Sequence, residues 1–318
     1  MKTKNSKLLK LKKVFGNRIK TNKDLFLFLT LRTRTRAEYF FEARSKSDWQ
    51  KAVLTAYQLH LPVFALGGCS NIAPSFQLIK GLVIKNSYIK LLKISETKKD
   101  GTFLVSSGYP TAKLVNEMVE QGYEGLEYHK GLPGTVGGAI FMNSKWTKPL
   151  TYFSDGLTKA ILLTKQGGWK EVDKKYFQFN YDFSLLHRTK EILIEVIFKF
   201  KKVDSDILKK RADQAINYRA KTQPKGVASC GCFFRNIVVK DQRRLGLPTS
   251  SVGYLIEKAG LKGLTVGDFT ISPVHGNFII NKGLAKSEPK DLKKLLTIIK
   301  KKIKNIYGVE LKEEVVIM

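Results

Sequence analysis

A glycine-rich stretch near the middle of the chain most tightly limits what it can fold into. Residues 131–139 read GLPGTVGGA, with four glycines in the first eight positions. Because glycine has no side chain to shield its N–H group, an anion can come close to the main chain there. Pro133 stiffens the turn, and Ala139 starts an apolar run that can enter a core. Alone, this pattern is typical of a structural turn as well as of a phosphate-binding loop.

A second glycine loop upstream favours ligand binding. It reads LGGCSN over residues 66–71 and follows the apolar run 61–65. Two phosphate-binding loops in one chain predict a long ligand with a pyrophosphate, such as a dinucleotide. The order of a strand, a helix, a strand and this loop is typical of a nucleotide-binding unit. No Gly-x-Gly-x-x-Gly pattern opens a helix here, so the loop is not a Rossmann fingerprint.

Length and composition indicate the class of protein. A chain of 318 residues with 43% hydrophobic residues can form two or three domains with real cores, which excludes global disorder. The three cysteines, Cys69, Cys230 and Cys232, cannot all pair and do not have zinc-site spacing, so no metal site is expected. No apolar stretch is long enough for a membrane span and no signal peptide is visible, so the sequence predicts a cytoplasmic protein.

The net charge of +30 has two interpretations. It indicates either attraction to polyanions, such as nucleic acid or an anionic membrane, or lysines spread over solvated faces. Binding sites for phosphorylated small molecules also use positive charge. Because the sequence has no RNA-recognition motif, helix-turn-helix pattern or zinc finger, we expect no nucleic-acid partner.

Hydrophobic patterning predicts a mixture of strands and helices. The first 23 residues hold nine Lys or Arg and no acid, which favours a mobile arm or a loose helix. Ser47 is the expected N-cap of a helix that buries Trp49, and Thr111 is the expected cap of a helix over 112–121. Strands are expected within 29–41, at 61–66 (a buried strand), 81–84, 103–106, 160–163, 192–198 and 314–317, and near 278, and further helices at 205–220, 252–259 and 288–306.

Five motifs between about Asn22 and Met318 occur in an order that resembles one family. They lie at 66–71, 125–143, 223–236, 255–263 and 275–281. Together they resemble the flavoenzyme UDP-N-acetylenolpyruvoylglucosamine reductase, also called UDP-N-acetylmuramate dehydrogenase. The chain has no obvious extra tyrosine-bearing loop after Ser184, which is similar to the shorter, second type of that family.

The resemblance implies an α+β fold. In that family a two-lobed FAD-binding module of the vanillyl-alcohol-oxidase type precedes an α+β substrate domain. We therefore expect a basic N-terminal arm at 1–23, the FAD-binding module at 24–202 and the substrate-binding domain at 203–318. The two lobes of the module would cover about 24–86 and 87–202. We expect a monomer.

The implied activity is the reduction of UDP-N-acetylglucosamine enolpyruvate to UDP-N-acetylmuramate, a step of peptidoglycan precursor synthesis. NADPH reduces the FAD, NADP⁺ leaves, and the UDP-sugar takes its place. Hydride then reaches the enolpyruvyl methylene carbon, and a proton reaches the carbon that bears the carboxylate. The implied FAD contacts are Gly67, Gly68, Cys69, Ser70, Asn71, Gly131, Pro133, Gly134, Thr135, Val136, Gly137, Gly138 and Asn143.

The resemblance also implies the acid–base residues. The family's proton donor is a serine that corresponds to Cys232, and a thiol with an ordinary pKa of about 8.5 can give up that proton. In an extended segment Cys230 would share a face with it, so spacing alone does not separate the two cysteines. The family's carboxylate that polarises the enol corresponds to Glu314, or to Glu313 after a one-residue slip. The implied substrate contacts are Tyr181, Arg219, Arg235 and Asn236.

Two positions depart from the family pattern. Asp182 stands at a catalytic position where the family has an arginine whose cation stabilises the enolate oxygen, and removing such a group typically costs about 10²–10³ in rate. The candidate replacement cations are Arg188, Arg219 and Lys145. Cys69 stands where the family usually has glycine, so its side chain would crowd the pyrophosphate. The alternative function is therefore a catalytically impaired or non-catalytic homologue that binds FAD or the UDP-sugar.

Overall fold

Helices are distributed along most of the described chain, from Lys2 to Tyr307. The structure is a computed structural model that describes residues 2–318, with side-chain surroundings from Ser6 onward, so Met1 of the predicted arm lies outside it. Among the helices of this range, none is long and apolar enough to cross a bilayer. The helices are α1 (Lys2–Phe15), α2 (Lys46–Gln58), α3 (Thr111–Glu120), α4 (Val136–Met142), α5 (Leu186–Thr189), α6 (Ser205–Thr222), α7 (Val239–Arg244), α8 (Val252–Lys258) and α9 (Pro289–Tyr307).

The strands form several separate sheets. They are β1 (Lys20–Asp24), β2 (Arg36–Ala43), β3 (Val63–Leu66), β4 (Ile72–Ala73), β5 (Leu78–Asn86), β6 (Leu91–Glu96), β7 (Asp100–Ser106), β8 (Tyr123–Glu124), β9 (Lys145–Thr147), β10 (Leu150–Tyr152), β11 (Leu157–Leu163), β12 (Trp169–Asp173), β13 (Ile192–Lys202), β14 (Thr265–Val266), β15 (Phe269–Ile271), β16 (Ile279–Asn281) and β17 (Val316–Ile317). A four-stranded sheet has the order β1-β2-β5-β3, and a six-stranded sheet has the order β12-β11-β13-β7-β6 with β8 added to β13. The mixture confirms the predicted α+β class.

The chain divides into two compact units, each assembled from separate segments. The first unit runs from α1 to Asn22 and adds Glu38–Gly68 and Lys80–Arg219. The second unit contains Lys23–Ala37, Cys69–Ile79 and Ala220–Met318. The boundary between Gly68 and Cys69 divides the first glycine loop between the two units. The domain limits expected from the sequence stay a prediction.

The six-stranded sheet of the first unit supports the central glycine loop. Strand β13 is antiparallel to both β11 and β7. Leu114 and Met118 of α3 and Ile140 of α4 belong to the same buried cluster as Val196 and Phe198 of β13. This packing holds α4, which the glycine loop opens, against the sheet.

Helix α1 is docked onto the first unit. Its Leu11 and Phe15 are buried, and both belong to a cluster that contains Phe41 of β2 and Trp49 of α2. Arg18, three residues after the helix, lies 4.7 Å above the Phe41 ring and forms an ion pair with Asp48 at 2.7 Å. The basic segment therefore forms a helix with an apolar face, which its lysine-rich composition conceals.

The second unit is built around α9 and the three-stranded sheet β14-β15-β16. Helix α9 buries Leu292, Leu295, Ile299 and Ile303, a spacing that places them on one helical face. Strand β17 is parallel to β4, and Val316 is paired with Ile72. The end of the chain therefore lies beside the residues that follow Cys69.

The alternation at 29–33 wrongly predicts a strand, because those residues form an irregular loop. Leu29 and Leu31 are buried, as a strand would also place them. However, Arg32 has φ +54°, which interrupts an extended chain. The Asn281 side chain donates to the Leu31 and Arg32 carbonyls at 2.9 Å each, so a side chain occupies acceptors that a neighbouring strand would otherwise use.

The structure also differs from the expected caps of two helices and from the expected burial of one strand. Ser45, not Ser47, caps α2, because its hydroxyl accepts from Asp48 N at 3.1 Å. Thr111 is the first residue of α3, and its hydroxyl donates to Leu132 O at 2.7 Å instead of capping the helix. Strand β3 lies at one edge of the four-stranded sheet, and only its last residue, Leu66, is fully buried.

Candidate functional site

The two glycine loops touch through their main chains in the first unit. A Cβ added to Gly68 would lie 2.6 Å from Gly134 Cα, and one added to Gly67 would lie 2.5 Å from Thr135 Oγ1. Real Cβ atoms do not approach main chain this closely, so the contact requires glycine at position 68, whereas at position 67 the Thr135 side chain would have to move. Lys85 adds a positive charge, since its Nζ donates to Gly67 O at 2.8 Å. The loops therefore form a main-chain cradle beside a cation.

The first N–H groups of α4 are occupied by the protein itself. Thr135 is the N-cap, and its Oγ1 accepts from Gly138 N at 3.4 Å. The N–H groups of Val136 and Gly137 donate at 2.9 and 2.8 Å to carbonyls of the connection 107–109. These three predicted FAD contacts therefore have no free N–H group, and their contribution to FAD binding stays a prediction.

The earlier part of the central loop keeps its N–H donors. Within residues 2–318, the N–H groups of Gly131, Gly134 and Thr135 have no protein acceptor. Thr111 holds the loop by donating to Leu132 O, which leaves these donors on a fixed backbone. Unoccupied N–H groups next to a close glycine–glycine contact suit a pyrophosphate. The residues present therefore fit FAD.

Asn143 connects the end of α4 to a distant turn. It caps the helix with φ +48° and is 3% exposed. Its Oδ1 accepts from Ser154 Oγ at 2.6 Å, and its Nδ2 donates to Asn180 O at 3.1 Å. Its amide thus fixes the turn 180–183 relative to the glycine loop, and its predicted contact with FAD stays a prediction.

The turn 180–183 carries the residue that departs from the family pattern. Asn180 and Phe183 exchange main-chain hydrogen bonds of 3.1 and 3.2 Å, and Asp182 has φ +48°, which aspartate tolerates better than most residues. Asp182 is buried, and its Oδ1 accepts from Lys145 Nζ at 3.2 Å. The same ammonium lies 3.2 Å from the centroid of the Tyr181 ring. Lys145 is therefore the candidate cation that is hydrogen-bonded to Asp182.

The other two candidate cations lie over aromatic rings. The guanidinium of Arg188 is 5.2 Å from the Phe183 ring centroid, and that of Arg219 is 5.2 Å from the Trp146 ring centroid. Arg219 packs against the central loop, since a Cβ added to Gly131 would lie 3.3 Å from Arg219 Cδ. Burial lowers the pKa of Arg219, and its Nε has no acceptor in the described part of the chain. Arg219 thus keeps a donor near the glycine loop.

Cys69 adopts a backbone conformation that favours glycine. Its φ is +56°, and its side chain is buried in the second unit. Thr30 Oγ1 donates to the Cys69 carbonyl at 2.9 Å and holds it in place. Glycine at this position would remove both the strain and the side chain.

The predicted proton donor and carboxylate come from adjacent segments of the second unit. Cys232 pairs with Phe278 in a β-bridge on one side, and on the other side Glu314 N donates to Phe233 O at 2.9 Å. The Asn71 side chain donates to Glu314 O at 3.3 Å, so the last residue of the 66–71 loop also contacts the Glu314 segment. The predicted residues Cys232, Glu314 and Asn71 are therefore brought together.

The alternative cysteine and glutamate have other surroundings. Cys230 is fully buried, and burial raises the pKa of its thiol, whereas Cys232 is partly exposed. Glu313 accepts from Lys300 of α9 at 2.5 Å. A thiol that ionises with difficulty is a poor proton donor, and a carboxylate bound to lysine is already occupied. These contacts count against Cys230 and Glu313, and the roles of Cys232 and Glu314 stay predictions.

The remaining predicted contacts surround the same segment. Ser70 O would lie 3.7 Å from a Cβ added to Gly231, one residue before Cys232. Arg235 N donates to Lys312 O at 2.9 Å, and Asn236 Oδ1 accepts from the first N–H of α8 at 3.3 Å. The Asn236 side chain therefore occupies the first N–H group of α8, whose N-cap is Ser251. Contacts of Ser70, Arg235 and Asn236 with ligands stay predictions.

Sequence reasoning missed the role of Asn277. Its side chain donates to Phe234 O at 2.7 Å and accepts from Phe234 N at 2.9 Å, while its main-chain carbonyl accepts from Phe233 N at 2.8 Å. It therefore fixes the two residues that follow Cys232. Asn277 lies in the 275–281 motif, which resembles the family. That motif could have singled out Asn277, but it does not reveal which residues Asn277 contacts.

Two protein families match successive parts of the chain. Residues 37–173 match the family described as FAD binding domain, and residues 223–318 match UDP-N-acetylenolpyruvoylglucosamine reductase, C-terminal domain. The first match contains both glycine loops. The second contains Cys232 and Glu314. The matches thus fall on the segments whose geometry is described above.

Whole-chain relatives and a solved structure agree with these matches. The UDP-N-acetylenolpyruvoylglucosamine reductase of Protochlamydia amoebophila is 35% identical over 280 residues, which cover 88% of this chain and 87% of that protein. UDP-N-acetylenolpyruvoylglucosamine reductase 1 of Bacillus cereus is 30% identical over 303 residues, or 95% of each chain. The crystal structure of the Thermus caldophilus reductase aligns with a TM-score of 0.75 and 26% identity over 94% of this chain and 97% of that one. The predicted fold, an FAD-binding module followed by a C-terminal domain, is confirmed.

Proposed function

Since the chain belongs to the UDP-N-acetylenolpyruvoylglucosamine reductase family, we propose that it reduces UDP-N-acetylglucosamine enolpyruvate to UDP-N-acetylmuramate with NADPH as hydride donor. The reaction adds a hydride to the enolpyruvyl methylene carbon and a proton to the carbon that bears the carboxylate. Bound FAD would supply the two-electron carrier between NADPH and the sugar. The chain itself must hold the ligands, supply the proton and stabilise negative charge.

The observation that carries the proposal is the pairing of the Cys232 segment with the Glu314 segment. The hydrogen bond from Glu314 N to Phe233 O joins the main chain that carries the thiol to the main chain that carries the carboxylate, which supports their acting on one substrate. Cys232 then donates the proton to the substrate carbon. Glu314 accepts a hydrogen bond from the enol and polarises it.

The proposal also includes the ligand contacts. The donors at Gly131, Gly134 and Thr135 hold the FAD pyrophosphate, and Lys85 adds positive charge beside Gly67. Tyr181, Arg219, Arg235 and Asn236 contact the UDP-sugar. NADPH and the UDP-sugar bind in turn, and both are anionic. A monomer acting in the cytoplasm completes the proposal.

Product analysis tests this function. The purified protein, with FAD, is incubated with NADPH and UDP-N-acetylglucosamine enolpyruvate, and the sugar is examined by mass spectrometry. We expect a product two hydrogens heavier than the substrate, formed in a one-to-one ratio with oxidised NADPH. The same incubation with NADH measures the preference between the two donors. NADPH oxidation that leaves the enolpyruvyl sugar unchanged would contradict the proposal.

The proton-donor role of Cys232 predicts a specific pattern among cysteine variants. Cys232→Ala removes the acid, so product formation should fall by about 10²–10⁴. Cys232→Ser replaces the S–H donor with an O–H donor, so its rate of product formation should fall much less. Cys230→Ala is the matched control, because Cys230 is fully buried and should not transfer the proton. A Cys232→Ala enzyme with the wild-type rate would exclude the role.

A further inference from the structure

The turn that carries Asp182 brings a lysine into the first unit's site. Lys145 begins β9, two residues after Asn143 caps α4. Its side chain is 17% exposed, and the Asp182 side chain is 7% exposed. Removing an ammonium and a carboxylate from water costs several kcal/mol per ion unless the two are paired and hydrogen-bonded. The hydrogen bond between Lys145 and Asp182 compensates for this cost and keeps a charged ammonium inside the protein.

The position of this lysine is fixed by rigid contacts. The turn 180–183 is closed by main-chain hydrogen bonds, and Asn143 ties it to the end of α4. Helix α4 has seven residues, and with a rise of about 1.5 Å per residue it spans roughly 10–12 Å. Lys145, the first residue of β9, therefore follows closely after helix α4, which the central glycine loop opens.

The ammonium retains donors for a ligand. Lysine has three N–H donors, and among the described residues Lys145 uses one on Asp182 Oδ1. The Tyr181 ring, 3.2 Å away, supports the positive charge without using a hydrogen-bond acceptor. Two N–H groups are left, enough to bind a carboxylate.

We propose that Lys145 binds the carboxylate of the enolpyruvyl group and that Asp182 positions this lysine. The inference rests on the proposed function, because that reaction brings a carboxylate to the site and develops negative charge on the carbon next to it. An unpaired Asp182 would repel such a substrate. Paired with Lys145 it contributes no net charge, and it orients the ammonium instead.

The chain offers a matched control in the same unit. Lys170 Nζ lies 3.2 Å from Glu191 Oε1 and 4.0 Å from the Tyr176 ring centroid. This cluster repeats the lysine, carboxylate and tyrosine of the proposed site, but it connects β12 to the residue before β13. Lys170→Met should therefore lower stability as the loss of such a cluster does, but it should not change ligand binding.

A pair of ligands tests the proposal by calorimetry on the oxidised, FAD-loaded enzyme. UDP-N-acetylmuramate carries the carboxylate, and UDP-N-acetylglucosamine does not. For Lys145→Met we expect the Kd of UDP-N-acetylmuramate to rise about tenfold or more, which corresponds to about 1.4 kcal/mol. The Kd of UDP-N-acetylglucosamine should stay unchanged. Lys145→Arg should restore most of the binding, and Lys170→Met should match the wild type for both ligands.

Flavin reoxidation supplies a second readout. After reduction with NADPH under anaerobic conditions, the Lys145→Met enzyme should be reoxidised by the enolpyruvyl sugar about 10²–10³ times more slowly, the usual cost of removing a charge-stabilising donor. Asp182→Asn should raise KM more than it lowers kcat, because the ammonium is retained but less well oriented.

Several outcomes would overturn the inference. One is a Lys145→Met enzyme with wild-type affinity for UDP-N-acetylmuramate. Another is an equal loss of both UDP-sugars, which would indicate a structural role. If Lys145→Met does not fold, Lys145→Gln replaces it, and wild-type affinity of that variant for UDP-N-acetylmuramate also contradicts the inference, because glutamine removes the charge. A wild-type enzyme that binds both ligands but is not reoxidised would instead disprove the proposed function.

Discussion

At the residue scale, the contact between the two glycine loops determines which substitutions the cradle tolerates. Gly68→Ala would bring a Cβ within 2.6 Å of Gly134 Cα, so the loops must separate. We expect a loss of about 1–3 kcal/mol in the free energy of unfolding, measured by urea denaturation without FAD. FAD affinity, measured by calorimetry, should fall as well.

Gly138→Ala, in the central glycine loop, is the control. A Cβ at Gly138 would meet only Thr135 Oγ1, at an ordinary 3.7 Å. Because alanine favours helix more than glycine, stability should stay the same or rise by up to about 1 kcal/mol. Equal destabilisation by the two variants would show that the loop contact does not limit position 68.

At this scale the sequence proposed single residues, whose roles stay predictions, but not the partners that contact them. The motifs selected the glycines, Cys232 and Glu314, because the type of residue carries the signal. The hydrogen bond between Lys145 and Asp182 depends on how the turn 180–183 folds back onto α4. No local pattern encodes that contact, so Lys145 could only be named as one of three candidate cations.

At the scale of elements, α1 is the part of the fold that composition describes least well. Leu11 is fully buried, whereas Leu9 is 64% exposed. Leu11→Ala should therefore lower the free energy of unfolding by about 2–5 kcal/mol in urea denaturation. Leu9→Ala on the same helix should change it by less than about 0.5 kcal/mol. Equal small effects of both substitutions would mean that α1 contributes little to the fold.

Elements with a strong period could be predicted from the sequence, and irregular ones could not. The apolar spacing of α9 and the β-rich run of β13 gave the correct type of element. The alternation at 29–33 gave a wrong strand because the partner of its carbonyls is the Asn281 side chain, about 250 residues away in sequence.

At the scale of the whole molecule, stability should depend on one buried histidine. Burial and, to a lesser degree, the charge of Arg219 lower the pKa of His129 to about 3. In the unfolded chain the imidazole has an ordinary pKa near 6.5. Between the two pKa values it is therefore protonated in the unfolded chain and neutral in the folded chain. The folded state therefore loses stability as the pH falls from about 6.5 towards 3, by about 2 kcal/mol at pH 5.

Urea denaturation at pH 7.5 and pH 5 measures this effect. The loss of stability between the two pH values should be smaller in His129→Leu than in the wild type by that amount. His60→Gln is the control, because His60 is exposed. An identical loss in wild type and His129→Leu would mean that His129 does not contribute to the acid sensitivity.

The division into two units illustrates what a linear reading of the sequence lacks. Segments 23–37 and 69–79 belong to the second unit, although they precede most of the first unit in the chain. Their assignment depends on long-range pairing such as that of β4 with β17. Composition and periodicity describe local preferences and do not specify which distant segments meet.

The central claim is that this chain is a flavin-dependent reductase of an enolpyruvyl UDP-sugar. The most direct test is the anaerobic absorption spectrum of the FAD-loaded protein, recorded after addition of NADPH and again after addition of UDP-N-acetylglucosamine enolpyruvate. We predict that the flavin bands bleach with NADPH and recover with the sugar. A protein that binds FAD but shows neither change would keep the fold described here and contradict the proposed reaction.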